Sequence, residues 1–309
     1  MLNDLFIFIV ALFLVVKGAT LATKYAAKLA ESFHLSKYAV GFIIIAVISI
    51  LPETFIAINA ALEGIPSFGL GTLFGSNIAD LTLLFAMIVF FAGRGLTVES
   101  KIISNHAVYP FILLLPLILG FNGHFSRLEG IALIVSGGVF YYLALRKGID
   151  GSIPLNGDDH KIKNFFLLLF SMAVMLAGSH FTVTSATSLA HAIGVSPVLI
   201  GMLIVGLGTT VPEFFFSLKS VKKHDDSLAV GDILGTVLAD ATIVVGILAL
   251  VSPFSFPTKI VYVTGVFMVL ASFMLFAFMK SGRRISKKEA IALFAFWATF
   301  VLVEFAINR

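Results

Sequence analysis

The feature that most constrains the fold is a segment that occurs twice along the chain. Residues 41–80 recur without a gap as residues 201–240, so each residue of the first copy lies 160 positions before its counterpart. Both copies place a Pro-Glu pair in an apolar stretch and follow it with a glycine-containing stretch that ends in Ala-Asp. The residues that recur at this offset include Gly41, Pro52, Glu53, Gly71, Gly75, Ala79, Asp80 and Thr82. We interpret the chain as two copies of one half.

The composition places both copies in a membrane. Of the 309 residues, 59% are hydrophobic and only 12% are charged, and the mean hydropathy is +1.06. These values exclude a soluble globular domain of ordinary composition. The first apolar run begins at Leu5 without a preceding basic region, so we expect a membrane span there and no cleavable signal peptide. The chain contains no cysteine, which excludes disulfides and thiol ligands.

Apolar segments divide the chain evenly, and we predict an all-α membrane protein with ten transmembrane helices. The segments cover approximately residues 5–22, 39–61, 68–92, 106–121, 128–145, 164–186, 197–218, 228–251, 258–280 and 288–306. The polar stretch between the fifth and sixth segments is rich in glycine and aspartate, as a linker is. We therefore expect a first five-helix repeat at 1–146, a linker at 147–163 and a second five-helix repeat at 164–309.

The odd number of spans in each half determines how the halves are oriented. With five spans each, the second half must cross the membrane in the opposite sense to the first, which is an inverted-topology repeat. Basic residues accumulate in cytoplasmic loops; the loops after the odd-numbered spans hold 17 of them, the other face holds three, and Lys17 lies within the first span. We expect a multi-pass protein of the cell membrane with a cytoplasmic linker and both termini outside. Because the positive charge follows topology, we expect no nucleic-acid partner.

Four acidic residues within the predicted spans are the candidate functional groups. They are Glu53, Asp80, Glu213 and Asp240. A charged side chain at the centre of a membrane helix costs about 2.5–3.5 kcal/mol, and no Lys or Arg lies within the same four spans. Either protonation or a bound cation must therefore offset this cost.

The neighbours of these acids favour a cation. A hydroxyl residue precedes each acid by one helical turn and lies on the same helix face; these residues are Ser49, Ser76, Thr209 and Thr236. We expect Pro52 and Pro212 to interrupt their helices and free backbone carbonyls. Carboxylate, hydroxyl and carbonyl oxygens suit hard cations such as Ca²⁺ or Na⁺, whereas the lack of Cys and of nearby His argues against Zn²⁺ and copper.

Other polar residues have less specific interpretations. Asp232 lies two turns before Asp240 on the same helix face, either at an ion entrance or, as the default, at a solvated helix end. Glu304 and the histidines fall near span ends or in loops, so we expect interfacial or solvated positions for them. The glycines around the acids predict close helix packing.

The doubled motif resembles the paired alpha-repeats of the cation/calcium antiporter superfamily, and most closely those of microbial sodium/calcium exchangers. The matching stretches are SILPETFIA with GSNIAD in the first half and GLGTTVPEFFFS with GTVLAD in the second. The resemblance covers nearly the entire chain. It implies exchange of Ca²⁺ against Na⁺ at a site between the repeats, with alternating access produced by sliding of spans 1 and 6 across the remaining spans.

The same resemblance assigns roles residue by residue. It implies that Glu53 and Glu213 are the central Ca²⁺ ligands, shared with Na⁺ sites, and that Asp80 and Asp240 complete the site. The resemblance also implies ligands from the backbone, namely the carbonyls of Ala46, Ser49, Gly206 and Thr209. The side-chain ligands that it implies are Ser76, Asn77, Thr210 and Thr236.

Three departures from the family pattern bear on the coupling ion. In one of them, Val237 and Leu238 are apolar where the first repeat has Asn77 and Ile78. Ile50 stands where the family commonly has a hydroxyl residue, and Asp80 stands where Asn is frequent. Asp80 brings the formal charge of the four acids to −4, so one Ca²⁺ would leave −2 and three Na⁺ would leave −1. We therefore expect at least one acid to carry a proton.

Three other functions remain as alternatives. A H⁺/Ca²⁺ antiporter of the same fold follows from the fourth carboxylate and Ile50, because protons need only carboxylates. A cation channel is disfavoured, since channel filters are usually built from subunits or repeats of the same orientation. An enzyme is disfavoured because no nucleophile and base pair lies beside the acids. We expect no cofactor and no obligate protein partner; the transported ions are Ca²⁺ with Na⁺ or H⁺, in a lipid bilayer.

Overall fold

The computed structural model describes residues 2–30, 46–98, 108–148 and 161–307. The predicted start of the second span, including Gly41, lies outside the described residues, as does most of the predicted linker. The described part of the chain is almost entirely helical, as predicted. The exceptions are turns and four two-residue strands.

The helices follow one another in close succession. The α-helices are α1 (Leu2–Ala30), α2 (Ala46–Ser49), α3 (Leu51–Leu62), α4 (Pro66–Ala79), α5 (Phe85–Ala92), α6 (Tyr109–Ile112), α7 (Leu115–Leu119), α8 (Arg127–Gly148), α9 (Lys161–Ile193), α10 (Pro197–Ile200), α11 (Gly206–Lys222), α12 (Asp226–Ala239), α13 (Val245–Val251), α14 (Val266–Gly282) and α15 (Lys287–Ile307). Four π-helical segments continue them, namely π1 (Asp80–Leu84), π2 (Gly201–Val205), π3 (Asp240–Val244) and π4 (Ile260–Gly265). A 3₁₀ turn spans Gly120–Asn122.

Seven helical stretches among the described residues are long and apolar enough to cross a membrane. They are Leu2–Ala26, Pro66–Ala92, Ile162–Ile193, Pro197–Lys222, Asp226–Val251, Ile260–Gly282 and Lys287–Ile307. Two further apolar helical stretches, Leu51–Leu62 and Tyr109–Asn122, are shorter. The protein is therefore an all-α membrane protein, as the sequence predicts.

The long helices α1 and α9 pack along each other over much of their length. The contact is close because glycine faces the partner helix on both sides. A Cβ atom on Gly18 would lie 3.0 Å from the carbonyl oxygen of Ser171, and a Cβ on Gly178 would lie 3.0 Å from that of Ala11. Side chains larger than hydrogen at these positions would push the helices apart.

Two buried helices at the centre of the molecule follow the same course in both halves. Helix α4 has 14 residues and passes into the five-residue segment π1 at Asp80. Helix α12 also has 14 residues and passes into the five-residue segment π3 at Asp240. From Phe68 to Ala79 and from Ala229 to Ala239 every residue is buried. Both helices therefore lie inside the protein, surrounded by the others.

Matching caps begin two of the peripheral helices. Before α8, the backbone N–H of Ser126 donates to Glu129 (2.7 Å), and the N–H of Glu129 donates to Ser126 Oγ (3.3 Å). Before α15, Ser286 and Glu289 make the same reciprocal pair at 2.7 and 3.4 Å. Such capping boxes satisfy backbone donors that the first helical turn leaves free.

Two short antiparallel ribbons connect the halves of the chain. Strand β1 (Leu96–Thr97) pairs with β4 (Arg284–Ile285), and β2 (His124–Phe125) pairs with β3 (Phe254–Ser255). Each ribbon thus joins a strand from the first half to one from the second. Beside β1, the guanidinium of Arg94 forms a bidentate ion pair with Asp226 at the start of α12.

The two Pro-Glu motifs differ in backbone geometry. A break at Pro52 is confirmed, because α2 ends at Ser49 and α3 starts at Leu51. The predicted break at Pro212 is wrong, because α11 runs continuously through this proline. A proline removes one backbone donor but does not by itself end a helix when packing holds both sides. The irregularity in this helix lies earlier, in π2.

Candidate cation site

Five carboxylates gather between α3, α4, α11 and α12. Glu53 and Glu213 are each 2% exposed, Asp80 is 1% exposed, and Asp232 and Asp240 are fully buried. Each of the other four interacts electrostatically with Glu213. The four acids predicted from the sequence are therefore close together, and a fifth has joined them.

No cationic side chain compensates this charge within the described ranges. The ion pairs found there are Arg94 with Asp226 and His180 with Glu63, and neither touches the buried acids. Five formal negative charges in a buried site are strongly unfavourable without compensation. The site therefore requires cations, whether metal ions or protons.

Seven of the ten carboxylate oxygens of these acids are buried without a hydrogen-bond donor among the described residues. In the part of the chain that the structure describes, both carboxylate oxygens of Glu213 and of Asp240 are buried without a partner. The same holds for Glu53 Oε2, Asp80 Oδ1 and Asp232 Oδ2. Buried polar atoms in proteins are nearly always satisfied, so a concentration of unsatisfied acceptors is suited to binding positive charge, as metal ions or protons.

Neighbouring hydroxyl groups are oriented to offer lone pairs. Thr209 and Thr210 both donate to the carbonyl of Gly206, at 2.9 and 3.0 Å, and Ser76 donates to the carbonyl of Leu73 at 3.0 Å. A hydroxyl whose hydrogen is committed in this way retains acceptor lone pairs. Thr236 Oγ1 is buried and, among the described residues, has no partner. These four oxygens are available to a cation.

Close contact between helices brings the two halves together here. A Cβ on Gly75 would lie 2.8 Å from the Cα and carbonyl carbon of Met202, and a Cβ on Gly206 would lie 2.9 Å from the backbone nitrogen of Ser76. Helix α4 therefore crosses π2 and the start of α11 almost backbone to backbone. The contact places Ser76 of the first half beside Gly206, whose carbonyl accepts hydrogen bonds from Thr209 and Thr210.

The remaining predicted ligands occupy varied positions. Ala46 is fully buried at the start of α2. Ser49 turns its hydroxyl to Asp232 Oδ1, at 3.1 Å, so that its carbonyl is the group left for the predicted role. Asn77 directs its amide nitrogen to the sulfur of Met268 at 3.6 Å, while its buried Oδ1 has no partner within the described residues.

The donor set determines what the site can hold. Within the described residues, no three Asp, Glu or His side chains converge tightly enough to bind a metal ion by themselves. Hydroxyls and carbonyls must therefore complete any coordination shell. Such a mixed oxygen set suits Ca²⁺ or Na⁺.

Two expectations for outlying acids are wrong. Asp232 does not lie at a solvated helix end, because it is fully buried beside Ser49. Glu304 is not solvated either; it is 2% exposed and accepts a hydrogen bond from Thr264. In both cases packing of another helix covers a position that the sequence places near the end of a span. The described histidines are at least partly exposed, as expected.

One further polar residue at the site was not predicted. Ser217 lies one turn after Glu213 on α11, is fully buried and has no hydrogen-bond partner among the described residues. It interacts with the carboxylate of Asp232. The i, i+4 spacing from Glu213 is a signal in the sequence that would have identified it.

Comparisons with known proteins identify the family and the fold. A family model described as sodium/calcium exchanger protein matches residues 4–146 and 163–306. The inner membrane protein YrbG of Escherichia coli is 27% identical over 260 residues, which are 79% of each chain. The sodium/calcium exchanger MaX1 of Methanosarcina acetivorans is 21% identical and covers 97% of this chain and 98% of its own.

Solved structures of the sodium-calcium exchanger NCX_Mj share the fold. One of them superposes with a TM-score of 0.73 at 21% sequence identity, covering 99% of this chain and 98% of the other. The sequence resemblance to cation/calcium antiporters is thus confirmed. With a family model matching nearly its whole length, the chain belongs to the sodium/calcium exchanger protein family.

Proposed function

We propose that this protein is a secondary active antiporter that exchanges Ca²⁺ for Na⁺ across the cell membrane. The observation that carries the proposal is the group of buried carboxylates whose oxygens lack partners in the described part of the chain. Inside a membrane such a group is stable only with bound cations. The relatives MaX1 and NCX_Mj are named as sodium/calcium exchangers, which supports the same cargo here.

The proposal includes ten membrane crossings in two inverted halves, at 1–146 and 164–309, joined by a cytoplasmic linker. Three crossings beyond the long apolar helices come from α2 with α3, from the stretch Tyr109–Asn122 and from α8. Equivalent features at the same offset support the two halves: π1 and π3, and the caps at Ser126 and Ser286. With ten crossings and basic residues concentrated after odd-numbered spans, both termini are extracytoplasmic.

Exchange follows from competition for one set of oxygens. Glu53 and Glu213 hold Ca²⁺, with Asp80, Asp240 and the hydroxyls of Ser76, Thr209, Thr210 and Thr236 completing the sites for Ca²⁺ or Na⁺. When the site is empty, its carboxylates repel one another, so the conformational change is unfavourable until Ca²⁺ or Na⁺ binds. Empty transitions are therefore rare, and Ca²⁺ movement is tied to movement of the second ion.

Alternating access requires an element that moves across a fixed site. The pair α1 and α9 is suited to this role, because the two helices pack mainly on each other. Leu12 of α1 covers Gly208 of α11, where a Cβ would lie 2.8 Å from Leu12 Cδ1. We propose that this pair slides over the remaining helices and opens the site to one side at a time.

A H⁺/Ca²⁺ antiporter is the second candidate, and two observations favour it. Ile50 is an apolar, buried residue next to the predicted ligand Ser49, so it offers no side-chain oxygen to Na⁺. Asp80 adds a buried carboxylate that protons could neutralise. The hydroxyl oxygens around Gly206 favour Na⁺ instead, because protons would not need them.

Flux into liposomes tests this function. The purified protein is reconstituted into two sets of liposomes, one with an outward Na⁺ gradient and one with an outward proton gradient and no Na⁺ gradient. Uptake of ⁴⁵Ca²⁺ is measured in both at the same clamped membrane potential. Uptake driven by Na⁺ supports the Na⁺/Ca²⁺ exchanger, and uptake driven only by protons supports the second candidate. Uptake that needs neither gradient contradicts both and indicates a channel.

A further inference from the structure

A second polar cluster borders the proposed exchange site. We propose that Asp232, Ser217 and Ser49 form an additional site for one Na⁺, distinct from the central site. The inference rests on the proposed function for the identity of the ion, but its geometry is independent of it.

The cluster has the free acceptors that a cation needs. Ser49 Oγ donates to Asp232 Oδ1 at 3.1 Å, which leaves the lone pairs of the serine oxygen available. Asp232 Oδ2 and Ser217 Oγ are both fully buried and lack partners among the described residues. Side chains from three helices therefore meet at Asp232: Ser49 donates to one of its oxygens, Ser217 interacts with the same carboxylate, and Asp232 Oδ2 remains without a partner among the described residues.

The three residues are displaced from the central site in the same direction. Ser49 lies one turn before Glu53, Ser217 lies one turn after Glu213, and Asp232 lies two turns before Asp240. Because the proposed inverted topology makes α11 run opposite to α2 and α12, all three displacements point to the cytoplasmic side. One helical turn corresponds to about 5.4 Å, enough to separate two cations.

Among the described residues, the equivalent positions on the other side of the central site do not form such a cluster. The counterparts at the 160-residue offset are Ala57 for Ser217 and Thr72 for Asp232. Ala57 has no side-chain oxygen, and the hydroxyl of Thr72 donates to the carbonyl of Phe68 at 3.0 Å. The additional site thus exists on only one side of the central site. It places a cation between the cytoplasm and the central carboxylates.

The composition of the cluster favours Na⁺ over Ca²⁺. Ca²⁺ takes six to eight oxygen ligands and is bound tightly where several carboxylates contribute. Here one carboxylate and two hydroxyls are available, so a single positive charge matches the one acid. The formal charge argues in the same direction, because the fifth carboxylate increases the positive charge needed to neutralise the whole group.

Direct counting of bound ions tests the proposal. Equilibrium binding of ²²Na⁺ without Ca²⁺, and of ⁴⁵Ca²⁺ without Na⁺, is measured on the purified full-length protein and on Asp232→Asn. We expect the variant to bind one Na⁺ fewer per chain, with Ca²⁺ affinity changed less than threefold. An unchanged Na⁺ count overturns the proposal, as does an equal loss of Na⁺ and Ca²⁺ binding, which would make Asp232 part of the central site.

Two serine variants distinguish loss of the Na⁺ site from a folding defect. Ser217→Ala should weaken the last Na⁺ about tenfold, whereas Ser220→Ala should not, because Ser220 donates to the carbonyl of Phe216 at 3.0 Å on the same helix. Equal effects of both changes contradict the proposal. If the wild type bound no Ca²⁺ at all, the proposed function would fail, while the comparison of Na⁺ counts would still decide this inference.

Discussion

Asp80 and Asp240 occupy the same place in two helices, each as the first residue of a five-residue π-helical segment that follows a 14-residue α-helix. In a π segment each backbone hydrogen bond spans one residue more than in an α-helix, and such segments are frequent at functional sites. Here it changes the direction in which the next residues point, directly beside each aspartate. Thr82 and Thr242, two residues later, both donate to the backbone carbonyl of the preceding turn.

Glu53→Gln and Glu213→Gln should each abolish Ca²⁺ transport with little effect on folding. Glutamine retains the shape but removes the charge that binds the cation, and losing a charge-assisted contact of about 1.5–3 kcal/mol weakens binding by about 10- to 100-fold. The measurement is ⁴⁵Ca²⁺ binding and uptake. Glu63→Gln is the matched control, because Glu63 caps the same helix and is exposed. Normal uptake by either site variant would contradict the assignment.

Asp80→Asn should retain Na⁺-driven Ca²⁺ uptake to within about threefold, or less than ~0.7 kcal/mol. The amide keeps an oxygen that can bind a cation, and removal of one carboxylate reduces repulsion within the group. Uptake under a Na⁺ gradient is compared with that under a proton gradient. Loss of all uptake in Asp80→Asn would show that the charge itself is needed, as the proton-coupled alternative requires.

Gly75→Ala should destabilise the protein by about 1–3 kcal/mol. The new methyl group would overlap the backbone of Met202, which belongs to the opposite half, so α4 would have to move away from π2. Thermal unfolding in detergent measures the change. Gly138→Ala is the control, since a Cβ there has no atom within 4 Å, and it should be neutral. Equal melting temperatures for both variants would contradict the close helix crossing.

Arg94→Ala should lower stability by about 1.5–3 kcal/mol, the range for hydrogen bonds to charged groups. The Arg94 guanidinium donates to both carboxylate oxygens of Asp226 and to the carbonyl of Val221. Its hydrogen bond with Asp226 raises the pKa of Arg94, so the pair persists at high pH. Arg94→Lys should recover only part of the loss, because an ammonium cannot form the bidentate pair.

Thermal unfolding also measures this effect. Lys222→Ala is a suitable control, because Lys222 is exposed at the end of α11. An Arg94→Ala variant as stable as the Lys222→Ala variant would show that the ion pair does not hold the halves together.

The sequence predicts the helical class and places the four central acids within the apolar spans, because both depend on local signals. Hydrophobicity over about 20 residues indicates a membrane span. An acidic residue within such a span, such as Glu53 or Asp240, is easily recognised in the sequence. The π segments carry no such signal.

The errors concern burial and helix continuity. Asp232 lies only two turns into α12, where a carboxylate is solvated unless another helix covers it, and here Ser49 does so from the other half. Pro212 and Pro52 are both followed by Glu, yet only α2 and α3 are separated. Contacts between residues distant in sequence decide both cases, and a single sequence does not record them.

The most direct test of the exchange site is to locate the ion. Crystals of the protein are soaked in Sr²⁺ as a heavier substitute for Ca²⁺, and anomalous difference density is measured. We predict a peak between Glu53 and Glu213, with carboxylate oxygens from both at about 2.3–2.6 Å or slightly farther, as for Ca²⁺. A peak away from both glutamates, with none between them, would contradict the assignment of the exchange site.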